Sequence, residues 1–131
     1  MNNTRVQYFT ELNNLTDEFL LTGINLTKLN LQNCDHITDN GFKNLNNLEE
    51  LTLTNCNNIT GDCFKYLPKL NDLVLINSNN ITGDCFKYLS ELTELTLINC
   101  KNIKDEDLKC LINLTRLNLK NINIIGECFK Y

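Results

Sequence analysis

Seven cysteines and one histidine, His36, are the residues from which a metal site would be drawn. Zinc needs thiolates and imidazoles that converge, and C-x-x-C spacing is their usual signature. The chain contains no C-x-x-C. Cys34, Cys56 and Cys100 stand 22 or 44 residues apart instead, and Cys63, Cys85 and Cys128 share a second position, each just before a phenylalanine. Thiols placed this way read as small buried groups, with no metal implied. Their odd number fits a reducing compartment better than a disulfide framework. Nucleophilic catalysis has equally little to draw on. Ser78 and Ser90 are the only serines, and no nucleophile–base spacing or glycine-rich phosphate loop accompanies them. Carboxylates are plentiful, and Glu50 with Asp72 would form a pair on adjacent strands. A solvated acidic face accounts for them more simply. The expectation is a protein that is not an enzyme and carries no cofactor and no metal.

The cysteine spacing leads back to the elements that set it. Leu26, Leu48, Leu70, Leu92 and Leu114 recur every 22 residues. Leu29, Leu51, Leu73, Leu95 and Leu117 keep the same interval, as do Leu31, Leu53, Leu75, Leu97 and Leu119. The ten residues from Asn58 to Leu67, NITGDCFKYL, return unchanged from Asn80 to Leu89. Within each unit the L-x-L step has period two, which predicts a short strand with leucine on one face. The second half changes period. Cys63, Phe64 and Leu67 fall on one side of a helical turn. Thr60 and Thr82 precede such turns and are expected to cap them, with Asp62 and Asp84 near the positive end. One unit cannot bury its own leucine face, so the units must stack.

The full unit reads L-x-x-L-x-L-x-x-C-x-x-I-T-x-x-x-F-x-x-L-x-x, and Leu26 to Asp39 shows L-x-x-L-x-L-x-x-C-x-x-I-T-D. This resembles the leucine-rich-repeat family, and within it the cysteine-containing subtype, although that subtype usually has a unit longer than 22 residues. The resemblance implies an α/β solenoid, with a parallel sheet on a concave face and short helical turns on the convex face. It also implies that Cys34, Cys56 and Cys100 lie under the turn after each strand, with Ser78 and Ile122 in the same place. A small polar group there would serve backbone groups of the neighbouring coil.

One domain is expected over 1–131: a degenerate capping repeat over 4–25, four regular repeats over 26–113, and an incomplete last repeat over 114–131. The first fits the register through Phe9, Leu15 and Leu20, which fall where Leu31, Ile37 and Phe42 fall one unit later. The last is one residue shorter after Ile122 and places Leu117, Leu119, Ile124 and Phe129 near an uncovered end. Covering that end by a second copy would make a homodimer.

The chain has 131 residues, 42% of them hydrophobic, and a formal net charge of −4. That balance argues against nucleic-acid and anionic-membrane partners, which need a field of Lys and Arg. No apolar run approaches the roughly 20 residues of a membrane span. No signal peptide is apparent, so a cytoplasmic protein is expected.

The concave face is where the resemblance implies that a protein partner docks. Reading outward positions across successive units gives three columns. Lys28, Glu50, Asp72, Glu94 and Arg116 form the first; Asn30, Thr52, Val74, Thr96 and Asn118 the second; Gln32, Thr54, Ile76, Ile98 and Lys120 the third. Val74, Ile76 and Ile98 make an apolar centre. Glu49, Glu50, Asp72 and Glu94 flank it, and Lys28, Arg116 and Lys120 occupy the ends. An apolar centre with a polar rim is a common interface plan. The expected protein-binding residues are Glu50, Asp72, Val74, Ile76, Glu94, Thr96 and Ile98. A further column, Asn33, Asn55, Asn77, Asn99 and Asn121, is expected to form a structural hydrogen-bonded ladder. The resemblance carries one alternative: cysteine-containing repeats occur in substrate receptors of ubiquitin ligases. Those have a separate helical adaptor-binding domain, which this chain is expected to lack, since only some 25 residues precede its first good repeat.

Overall fold

The computed structural model describes residues 5–10 (backbone only), 15–22 and 25–127. Cys128, Phe129 and the Phe9 side chain lie outside this description. Six strands form one parallel sheet in sequence order: β1 (Arg5–Thr10), β2 (Leu26–Gln32), β3 (Glu50–Thr54), β4 (Asp72–Ile76), β5 (Glu94–Ile98) and β6 (Arg116–Lys120). From β2 onward each strand residue pairs with its own repeat equivalent, as Leu51 does with Leu73 and Leu73 with Leu95. β1 joins β2 in the same sense, with Phe9 opposite Leu31. The alternation of leucine with polar or β-branched residues is what holds this register. A slip by one residue would turn every leucine to the other face.

After each of β1 to β5 the chain returns through a short helical element. These are α1 (Asp17–Leu21), the 3-10 turns Asp39–Phe42, Asp62–Tyr66 and Gly83–Tyr88, and α2 (Asp105–Leu108). Short 3-10 pieces suit a return that must close quickly, because the i→i+3 bond makes a tighter coil. Between sheet and turns lies one continuous core. Phe42, Phe64 and Phe86 are fully buried there beside the leucine columns, with Leu15 and Leu20 in the same cluster.

The turn after each of β2 to β6 explains the asparagine column. Asn33, Asn55, Asn77, Asn99 and Asn121 all have φ between 53° and 55°. That left-handed conformation is strained for most side chains, and asparagine is among the few that tolerate it. The same side chains link neighbouring coils. The Asn55 amide donates to Asn33 at 2.8 Å, Asn77 to Asn55 at 2.8 Å, and Asn99 to Asn77 at 2.7 Å. One residue later come the buried cysteines. The Cys56 thiol reaches the Leu31 carbonyl one coil back at 3.6 Å, and Cys100 reaches that of Leu75 at 3.5 Å. Ser78, buried in the same column, donates to the Ile76 carbonyl at 3.3 Å.

The expected threonine caps require correction. Thr38 does accept from the Asn40 backbone N–H at 3.2 Å, but Thr82 makes no side-chain cap bond, and the Asp62–Tyr66 turn begins at Gly61 with φ 97°. Three units take an aspartate from the preceding coil instead, and the Gly83–Tyr88 turn is not among them. Asp39 accepts from the backbone N–H groups of Thr60 (3.0 Å), Gly61 (3.1 Å) and Cys63 (2.9 Å), and from the Thr60 hydroxyl at 2.9 Å. Asp17 accepts from the Thr38 N–H and hydroxyl, and Asp105 from the N–H groups of Ile125 and Gly126. Two units have glycine in that column. Space decides this: a Cβ on Gly61 would lie 2.5 Å from the Cys85 sulfur, and one on Gly83 would overlap Asp107.

The shortened last unit is visible in the same bonds. Asp39 bonds 21 and 22 residues ahead, to Thr60 and Gly61, while Asp105 bonds 20 and 21 ahead. Ile124 consequently packs against the core, and Ile125 is 77% exposed. Leu117 and Leu119 are only half-buried, unlike Leu95 and Leu97.

Candidate protein-binding face

Strand alternation sends Asp72, Val74 and Ile76 to one side of β4 and Leu73 and Leu75 into the core. The register lays Glu50, Thr52 and Thr54 beside them on β3, and Glu94, Thr96 and Ile98 on β5. Glu50, Asp72, Val74, Ile76, Glu94, Thr96 and Ile98 thus share one surface across three adjacent strands. All seven are half-buried. Val74, Ile76 and Ile98 adjoin one another there, and no described helix, turn or strand packs over them. Glu49 does not join this group; it precedes β3, and its carbonyl accepts from the Asn71 and Asp72 N–H groups.

Charges along the first column divide into pairs with one member left over. Lys28 Nζ lies 2.5 Å from Glu50 Oε1, and Arg116 Nη1 lies 3.2 Å from Glu94 Oε2. All four side chains keep more than a third of their area in solvent, so each pair contributes little to stability. Asp72 stands between Glu50 and Glu94 in register and forms no ion pair among the described residues. Partial burial, then Glu94 and Glu50, push its pKa above the ordinary carboxylate value; Arg116 and Lys28 oppose this from further away.

Cysteine chemistry is absent from this face. Cys34, Cys56, Cys63, Cys85 and Cys100 are buried free thiols among the described residues. Burial raises their pKa values, with Cys56 pushed up to about 11 and Cys85 to about 12. They are poor nucleophiles at neutral pH, since the thiolate is the reactive form. Among the described residues no cluster of His, Cys, Asp and Glu is arranged to hold a metal ion.

Three features escaped the sequence. Cys110 takes the place of Tyr66 and Tyr88 one unit on and is exposed. The outer side carries a column of exposed lysines, Lys43, Lys65, Lys87 and Lys109, which the interval of 22 makes visible afterwards. Lys65 and Lys87 lie over the rings of Tyr66 and Tyr88 at 5.2 and 5.1 Å. Asp62, Asp84 and Glu106 stand three residues before three of these lysines. The third feature is at the end of the sheet. A shallow hollow of about 360 Å³ at β6 reaches Glu94 and Thr96 as well as Arg116 and Asn118. The apolar centre itself is an open surface, not a cavity.

Tandem coils with a parallel inner sheet and outer helical turns define a leucine-rich-repeat solenoid. Residues 14–131 match the BspA-type leucine-rich-repeat region in six copies, and the chain belongs to that family. No curated protein sequence matches it. Among solved structures, an internalin of Listeria monocytogenes is similar, with 21% identity and a TM-score of 0.58 over 85% of this chain and 40% of that one. A chain of the Drosophila Toll–Spatzle complex is similar at 19% identity and a TM-score of 0.56, over 88% of this chain and 19% of that one. The chain therefore spans less than half the length of either structure. At these identities the likeness is one of fold. The family match is to the BspA type, so the cysteine-containing subtype rests on its motif alone. No described helix is long and apolar enough to cross a membrane.

Proposed function

We propose that this chain is a non-catalytic protein-interaction module whose partner seats on the concave face over β3, β4 and β5. Leucine-rich-repeat proteins generally mediate protein–protein interaction, and this chain belongs to them. The observation that carries the assignment to this face is the uncovered apolar group Val74, Ile76 and Ile98, set on a rigid sheet within a polar rim. β-branched residues also suit strands for their own sake. Repeat equivalents argue for a local purpose, because the same positions on β2 and β6 hold Asn30, Gln32, Asn118 and Lys120. The ubiquitin-ligase receptor reading has only the cysteine motif behind it and is subordinate.

The test is affinity capture from the native cell with the wild-type chain and an Ile76→Glu, Ile98→Glu variant. Both side chains lie on the sheet surface, so the variant should still fold, with a somewhat lower thermal midpoint because the two new carboxylates face each other across β4 and β5, while capture is lost. Undiminished capture by the variant would remove the assignment. An end-to-end dimer through the half-buried Leu114, Leu117 and Leu119 is a separate proposal, and a monomeric mass by light scattering at high concentration would end it.

A further inference from the structure

The concave face also carries information about what it would hold. Resting on the reading above, we infer that the partner contributes an extended segment whose basic side chain, arginine or lysine, docks on Asp72, with aliphatic side chains two and four residues away on Val74 and Ile76.

The spacing comes from β4 itself. Asp72, Val74 and Ile76 are successive same-side residues, about 6.6 Å apart from one to the next at roughly 3.3 Å per residue. An extended chain laid along β4 has the same period, so its alternate side chains meet all three. Ile98 stands directly beside Ile76 across β4 and β5. At about 4.8 Å between strands, the two isoleucines form one floor for the second aliphatic group.

Charge complementarity selects the residue at the other end. The cations of this column are already committed outward, Lys28 to Glu50 and Arg116 to Glu94. Asp72 is left in the middle, half-buried, with a carboxylate on each neighbouring strand. A cation on Asp72 would lie within one strand spacing of Glu50 and Glu94 as well, and would relieve the repulsion among all three. A carboxylate brought to the same place would meet Asp72 directly, with Glu50 and Glu94 already paired to Lys28 and Arg116, so the one carboxylate left over discriminates by sign. Beyond the charged row come only Thr52, Thr54, Thr96 and the apolar trio, none of which prefers a charged neighbour.

The test selects random peptides on the immobilised full chain, in wild-type form and as Asp72→Lys and Ile76→Glu, Ile98→Glu variants. A cooperative thermal transition in each variant establishes that it is folded. Wild-type selection should enrich sequences with Arg or Lys and, two and four residues to one side, Val, Ile or Leu. A synthetic peptide of that sequence should bind Asp72→Lys on the order of tenfold more weakly, a difference of about 1.4 kcal/mol. Fresh selection on Asp72→Lys should bring Asp or Glu to the basic position. No enrichment, or enriched peptides with no basic position or with helical spacing, would overturn the inference. Binding lost with Ile76→Glu, Ile98→Glu but indifferent to Asp72→Lys would sink the cation while sparing the concave-face reading. Indifference to both would sink the two together.

Discussion

Asn77 is held by two demands at once, one on its backbone and one on its amide. Its φ of 53° lies where L side chains are strained, and its side chain links Asn55 to Asn99. Two substitutions separate these. Asn77→Gly keeps the backbone at ease and removes the ladder bonds, which should cost about 1–2 kcal/mol. Asn77→Ala removes the bonds and adds the left-handed strain, about 1 kcal/mol more. Denaturant unfolding that finds alanine as stable as glycine would deny the backbone part of the argument. Asp39 and Asp72 respond to acid in opposite directions. Burial alone would raise Asp39, but its bonds to Thr60 and Cys63 outweigh that and lower its pKa below the ordinary 3.8. A depressed folded value means that its stabilisation is present above the ordinary carboxylate range and is lost as pH falls through the folded value. Asp72 is raised, so the folded state favours its protonated form, and its unfavourable contribution at neutral pH is relieved as pH drops. Asp39→Ala should destabilise at pH 7 by about 2–3 kcal/mol and flatten the acid limb of the stability curve. Asp72→Asn should leave stability at pH 7 equal or higher. Thermal melts from pH 7 down to 3 check both signs.

At the scale of elements, the strands were legible and the turns only partly. Period-two leucines specify strand and facing together, so β2 to β6 and their register follow from spacing alone. The asparagine column was visible too, because the residue type recurs in every full unit. The capping of the turns was not. Thr60 precedes its turn as a cap should, yet its partner is Asp39, 21 residues earlier. A cap supplied by the previous coil has no local signature. The column Asp17, Asp39, Gly61, Gly83, Asp105 looks irregular until the next coil is laid against it, where Cys85 and Asp107 fill the glycine gaps. The returning turn depends most on its phenylalanine. Phe64 is fully buried in the middle of the stack, and Phe64→Ala should cost about 3–5 kcal/mol. Because each coil touches only its neighbours, the loss should also split or broaden the urea transition. A single transition of undiminished steepness would show that the coils unfold as one body despite the lesion.

For the whole molecule, a stack built on one interval turns sequence position into map position. That is why the candidate face was legible as columns, and why β3, β4 and β5 bring Glu50, Asp72, Val74, Ile76, Glu94, Thr96 and Ile98 together as the interval required. The division of charge within the first column was less visible. Lys28 and Arg116 looked like remote ends, but long side chains on adjacent strands pair with Glu50 and Glu94 and isolate Asp72. The lysine column on the convex side sets a rival surface against the concave one. Side-chain oxidation footprinting of the chain, free and with its captured partner, compares the two directly. Protection of Val74, Ile76 and Ile98, with Tyr66 and Tyr88 labelled as before, is the result expected of a concave-face module. Protection of Tyr66 and Tyr88 with the β4 and β5 residues unchanged would contradict it and move the interface to the convex turns.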